Sequence, residues 1–287
     1  MKQEIIYLYD EYTHAPLPRR VFLRRLAQLA GGTAAAAALL PLLEANYALA
    51  QQVPADDARL RTERVEYPGA SGPVRGYLAK PGQAAGRLPA VVVIHENRGL
   101  NPHIEDVARR LGVAGFLALA PDALSPLGGT PGDADKARDL IGKLNLVQTR
   151  QNYEAAVAWL AARPDSNGKV GCVGFCWGGG MVNQLAVHSA TLAAAVAFYG
   201  LVPKAEDVPQ IRARLLLHYA GLDERINAGI PGYEAALKAA GKRYELYRYE
   251  GVNHAFHNDT AGARYDKAAA QLAWSRTLTF LREGLAG

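Results

Sequence analysis

The sequence predicts an α/β protein built on an open, mostly parallel, twisted sheet with helices on both faces, in one domain. Three observations predict it. Short apolar runs alternate with helical patterns from about residue 88 to the C-terminus. Most of those runs are continuous rather than alternating, the pattern of strands buried on both faces. The composition is that of an ordinary globular chain, 287 residues with 49% apolar and 21% charged side chains, 29 Gly and 16 Pro. Collagen-like, coiled-coil and disordered chains are thereby excluded.

The first fifty residues read as an address rather than as part of that domain. Residues 1–18 are polar and are expected to be unstructured. Arg19-Arg20 then precede a weakly apolar stretch over 26–43, and Ala48-Leu49-Ala50 places small residues where a signal peptidase cuts. Paired arginines, a mild apolar run and an A-x-A end resemble a bacterial twin-arginine export signal, removed to leave a periplasmic or secreted protein with no stable membrane insertion. The stretch is long enough for a short membrane span, but Gly31, Gly32, Pro41 and its many alanines make it a poor one. No cysteine lies near the cut, so no lipid anchor is expected.

Residues 51–63 read as a linker, and 64–287 as the domain. Strands at 64–67 and 74–78 form a hairpin around Pro68-Gly69-Ala70-Ser71-Gly72-Pro73. Strands follow at 88–95, 116–120, 169–175, 192–199, 213–219 and 244–249, those at 88–95 and 169–175 reading as buried. Helices are expected at 102–113, 133–162 with a break near Asn145, 178–189, 232–240 and 264–282. The Gly/Pro-rich stretch 125–132 has the composition of a lid.

The strongest chemical signal is Val173-Gly174-Phe175-Cys176-Trp177-Gly178-Gly179-Gly180, which ends a buried strand and opens a helix. This is the G-x-S-x-G nucleophile elbow with cysteine for serine. Flanking glycines leave room for a very tight turn, and the helix N-terminus favours a thiolate. Cys172, four residues back along the strand, reads as core. In this arrangement an acid and then a histidine follow in chain order, each on a loop at the carboxyl end of a strand. Asp223 and His254 fit, with Glu224 and His257 as rivals. His254 would take or hold the thiol proton and Asp223 would fix its tautomer. His95, His103, His188 and His218 read as structural. The loop after the first buried strand, His95-Glu96-Asn97-Arg98, would supply one oxyanion-hole amide, from Asn97, and Trp177 the other. Glu96 lies on the same sheet edge.

Charge and cysteine content narrow the partners. The net charge of +5 shows no basic stripe, which argues against nucleic acid. Two cysteines make no disulfide framework, and no Cys/His cluster has zinc spacing.

Together the elbow, the Asp223 loop, the Gly251-Val252-Asn253-His254-Ala255-Phe256 loop and His95-Glu96 resemble the dienelactone hydrolase family (carboxymethylenebutenolidases) of the α/β-hydrolase superfamily. Pro121-Asp122 and Phe198-Tyr199-Gly200 are similar too, and the likeness spans about 64–281. The resemblance implies an α/β-hydrolase fold, a Cys176–Asp223–His254 triad and a Glu96 that holds the resting thiol and then takes its proton. It implies hydrolysis of a small ester or lactone through a thioester, with no metal or organic cofactor. The muconate-pathway members carry an arginine four residues after the histidine, where this chain has Asn258, so Arg98 is the remaining candidate for a substrate carboxylate. Tyr199, Trp177 and Phe256 are expected around an apolar pocket. A non-catalytic ligand-binding protein on the same fold is the alternative, and a thiol redox protein a weaker third.

Overall fold

The strands β1 (Leu60–Gly69), β2 (Gly72–Pro81), β3 (Leu88–Ile94), β4 (Leu117–Pro121), β5 (Ser166–Phe175), β6 (Ala194–Phe198), β7 (Arg214–Ala220) and β8 (Tyr244–Tyr249) form one open sheet in the order β1-β2-β4-β3-β5-β6-β7-β8. The structure, a computed structural model, describes residues 1–15, 17–84 and 86–286, without the side chain of Ala48, one of the small residues at the expected cut. The pairs β1/β2 and β2/β4 are antiparallel and the remaining neighbours parallel.

Period-two alternation sorts the strand residues onto two apolar faces. Val92, Ile94, Cys172, Ala195 and Leu217 pack under α6 (Leu146–Ala162), α7 (Trp177–His188) and α9 (Ile230–Ala239). Val91, Val93, Val173, Val196 and Leu216 pack under α4 (Pro102–Val113) and α10 (Lys267–Leu285). Apolar residues on both sides of every central strand explain the continuous runs in the sequence. The expected break near Asn145 separates α5 (Ala134–Ile141) from α6, and the Asn145 side chain caps α6 by accepting from Gln148 N. A short α8 (Glu224–Asn227) follows β7.

Two expectations need correction. The hairpin is longer than its pattern suggested: β1 starts at Leu60, inside the expected linker, and Arg61–Glu63 pair with Leu78–Lys80. An edge strand with most side chains in solvent carries little apolar alternation, so the pattern underreports it. The stretch 125–132 is tied down, not loose: Asp122 accepts from Thr130 N and Oγ1, both at 2.8 Å, and Arg75 donates to Gly128 O at 2.6 Å.

The larger correction concerns the N-terminus. Residues expected to be unstructured form α1 (Gln3–His14), followed by α2 (Arg19–Ala30) and α3 (Thr33–Leu43). Ile5, Leu8, Tyr9 and Tyr12 recur at helical spacing and bury one stripe of α1 against Phe22, Leu26, Ala36 and Leu43. Tyr12 stacks on Phe22 with centroids 4.4 Å apart. Gly31 and Gly32, at φ 83° and 146°, turn the chain between α2 and α3, which are bent by 110°. Among the described residues no single helix is long and apolar enough to cross a membrane. The expected cut point is also engaged, since Ala50 is buried and Asn46 N donates to Thr260 O at 2.9 Å.

Candidate active site

Cys176 sits on the turn between β5 and α7 with φ 57° and ψ −115°. That backbone region is costly for any side chain and persists only where the surroundings enforce it. Gly174 and Gly178 permit the turn: a Cβ on Gly174 would come within 2.8 Å of Val182 Cγ2, and one on Gly178 would strike the backbone of Ile94 and His95. Among the described residues the only other non-glycine positive φ values belong to Tyr199 (38°) and Ala255 (65°). All three lie at the carboxyl edge of the sheet, so backbone strain is concentrated around the thiol.

The β7 and β8 loops deliver Asp223 and His254 to the same edge. His254 Nδ1 lies 2.5 Å from Asp223 Oδ2, with both side chains buried. His254 Nε2 is buried with no geometrically well-formed hydrogen bond among the described residues, and the ring offers a nitrogen within 4.8 Å of the thiol sulfur. The rivals are excluded by position. Glu224 is exposed, and His257 is packed between Phe175, Phe198 and Trp274. His95, His103, His188 and His218 each have structural partners, respectively Glu96 O, Asp259, Gln184 O and Thr277.

The nearest polar neighbour of the thiol is a residue that sequence reasoning missed. His14 Nε2, at the end of α1, lies 3.0 Å from Cys176 Sγ. Its ring meets that of His254 edge-on at 4.6 Å. The signal that could have found it was the helical spacing of Ile5, Leu8, Tyr9 and Tyr12, which carries His14 on the last turn of an amphipathic helix. Sγ and the two imidazoles offer three ligand atoms within 4.8 Å of one another, a donor set of the kind zinc accepts. The same three groups form an acid–base cluster.

Electrostatics favour charge separation here. Burial pushes the Cys176 thiol up, but the charges of His14 and His254 outweigh it and bring the pKa down to about 6. Burial pulls His254 down, and Asp223, Asp10 and the Cys176 thiolate overcome this and hold it well above the usual histidine range. His14 is likewise raised, burial being outweighed by Cys176 and Asp10. Cys172, buried in β5, is pushed up by desolvation and is inert.

The loop after β3 is arranged differently from expectation. Among the described residues Glu96 makes no hydrogen bond to the thiol; its Oε2 accepts from Asn258 Nδ2 at 2.8 Å, while Oε1 is buried with no hydrogen-bond partner among them. Asn258 thus occupies the place where an arginine was absent by clamping Glu96. Arg98 lines a cavity of about 420 Å³ with Cys176, Glu96 and Asn258, but its guanidinium is held by Ala134 O and Asp135. Tyr199 and Trp177 line a second cavity of about 960 Å³ that also opens on Cys176. Phe256 is corrected to core: it is fully buried against Tyr199 and Tyr249 and lines neither cavity. Trp177 opens α7, so its N–H is one of the helix's unpaired first donors. The Asn97 side chain donates to Thr13 O at 2.7 Å.

Sheet order, elbow and the loops at its edge define an α/β-hydrolase. The chain belongs to the dienelactone hydrolase family, whose model matches residues 74–285. It is 58% identical over 107 residues to the Escherichia coli K12 protein named as a hydrolase fragment, YghX, covering 37% of this chain and 92% of that one. It is 35% identical over 237 residues to a Bradyrhizobium protein named as a 2-oxo-3-(5-oxofuran-2-ylidene)propanoate lactonase, covering 76% and 93%. A solved structure described as a dienelactone hydrolase-like promiscuous phosphotriesterase, P91, from metagenomic libraries superposes with TM-score 0.72 at 26% identity, over 80% of this chain and 100% of that one.

Proposed function

We propose that the protein hydrolyses small carboxylic esters or lactones through a thioester on Cys176. The observation that carries this reading is a thiol on a strained strand-to-helix turn beside a histidine whose other nitrogen is held by a buried carboxylate. The thiolate sulfur attacks the carbonyl carbon and the π pair moves to oxygen. The Asn97 and Trp177 amides are the donors for that oxyanion. Collapse expels the alkoxide, which takes the His254 Nε2 proton, and leaves the acyl group on sulfur. Water then gives a proton to His254, attacks the thioester and expels the thiolate. Asp223 keeps the His254 ring oriented through both halves.

Family membership and the lactonase name of one relative support a lactone or ester carbonyl as the target. Cys176→Ala tests the reading on a panel of aryl esters and lactones. Hydrolysis is expected to vanish with the fold intact, whereas undiminished turnover by this variant would refute the thioester route.

A further inference from the structure

We infer that the N-terminal helix is a working part of the site: His14 is the imidazole that pairs with the Cys176 thiolate, and the segment 3–47 forms one wall of the substrate pocket. The inference rests on Cys176 being the nucleophile, as proposed above.

His14 is built into place, not merely nearby. Its Nδ1 lies 2.8 Å from Asp10 O and 3.1 Å from Asp10 Oδ1, which aims Nε2 at the sulfur. Arg225 reaches Asp10 from the body at 3.7 Å. The carbonyls at the end of a helix lack intrahelical partners, and the body supplies them: Asn97 Nδ2 donates to Thr13 O, and Arg138 to Tyr12 O at 3.3 Å. At the other end of α1, Gln3 donates to Asn253, next to His254. Donors on the loop after β3, on α5 and on α8, with an acceptor on the loop after β8, therefore converge on one short helix.

Position separates a wall from a plug. Cys176 opens on both the 420 Å³ and the 960 Å³ cavities, with His14 between them, so the sulfur stays reachable on either side. The smaller cavity is lined by Tyr9, Tyr12 and Tyr47 of the segment and by Glu96, Arg98 and Arg264 of the body. Arg264 is buried against the Tyr9 ring at 4.8 Å, and its Nε has no hydrogen-bond partner among the described residues. Removing the segment would take away eight of the nineteen residues of that lining.

The arrangement divides the labour between two imidazoles. Protonated His14 holds the thiolate before attack and receives it again when the thioester collapses. Protonated His254, with Nε2 unengaged, gives its proton to the leaving alkoxide and recovers one from water. Ester and water become acid and alcohol, and both histidines end the cycle as they began. The charged groups around His14 are Asp10 on its own helix, Cys176 on the elbow and His254 backed by Asp223. Arg225 acts through Asp10, and Glu96 and Arg264 line the same cavity.

The test compares the full-length chain with His14→Ala, His14→Gln and Asp10→Asn, measuring alkylation of Cys176 by iodoacetamide against pH and hydrolysis of aryl esters. The midpoint for alkylation should move from about 6 toward the ordinary thiol value of about 8.5. Loss of the paired imidazole should lower kcat by roughly tenfold or more with a smaller change in KM, and added imidazole should partly rescue His14→Ala. Asp10→Asn should act in the same direction more weakly, which keeps the test open if His14→Ala disorders the helix. Faster alkylation and hydrolysis in the His14 variants would make the helix a plug and overturn the inference, as would an unchanged pH profile. The mass of the active chain purified from a bacterial host should include residues 3–14; full activity in a chain starting after Ala50 would also overturn it. If Cys176 is not the nucleophile, Cys176→Ala itself stays active, a failure distinct from any result at His14.

Discussion

The body of the molecule and its N-terminal segment bury their apolar residues separately. The two large cores draw on the sheet and α4, α6, α7, α9 and α10, while the small third core is built within the segment around Ile5, Leu8, Tyr9, Tyr12, Phe22, Leu26, Ala36 and Leu43. Where the two regions meet, the contacts are largely polar: Asp135 with Tyr12 and Arg19, Asn97 with Thr13, Arg225 with Asp10, His14 with Cys176. The body specifies itself by hydrophobic burial. A core as small as that of α1–α3 is marginal alone, so the segment depends on directional contacts to hold its place. The chemistry sits on the seam, where a self-sufficient scaffold meets a segment held by hydrogen bonds and charge.

Substitutions can break or sharpen that contrast. On the body side, Cys176→Ala should reduce ester hydrolysis by roughly 10³-fold or more, with the thermal midpoint unchanged by calorimetry. Asp223→Asn should cost roughly 10²- to 10⁴-fold in kcat, because the His254 tautomer is then wrong. Gly178→Ala forces a methyl into the Ile94 and His95 backbone. It should lower the stability of the whole body by about 3 kcal/mol in urea unfolding and deform the elbow. On the segment side, Phe22→Ala removes the ring stacked under Tyr12 and should cost about 3 kcal/mol, felt locally. Hydrogen exchange should speed up over 3–43 and stay slow in β3, β5, β6 and β7. Exchange rising equally in both regions would show that they unfold as one unit.

Smaller effects report on the seam itself. Asp135 bonds Arg98 and Arg19 and accepts from Tyr12, and its side chain is partly exposed. Asp135→Ala should loosen the segment by about 1 kcal/mol, and the effect should shrink in high salt. Dialysis against EDTA should leave hydrolysis unchanged, since the proposed chemistry needs the His14, Cys176 and His254 donors free of metal. Loss of activity restored by zinc would instead assign those atoms to an ion.

How legible each part was follows from the same contrast. Strands β3 to β7 announced themselves because both faces are apolar, and the elbow because Gly174, Cys176 and Gly178 leave so few alternative backbones. Asp223 and His254 could be placed because each lies on the loop that follows a strand, β7 and β8. The start of the edge strand β1, residues 60–63, escaped because solvent on most of its side chains removes the alternation. Helix α1 escaped because its charged residues mask a helical stripe whose partners, Phe22 and Leu43, lie in what reads as a leader. That stripe could have placed His14 on the last turn of a helix, but its role comes from docking against Cys176, 162 positions away. The Glu96–Asn258 pair was hidden for the same reason.

The central claim, an acyl group carried on the elbow sulfur, has a direct measurement. The full-length chain is mixed with a slowly deacylating aryl ester or lactone, quenched in acid, digested and analysed by mass spectrometry. The account predicts an adduct of the acyl mass on the peptide containing Cys176, discharged by hydroxylamine and absent from Cys176→Ala. An adduct on another residue, or steady turnover with Cys176 unmodified throughout, would contradict it.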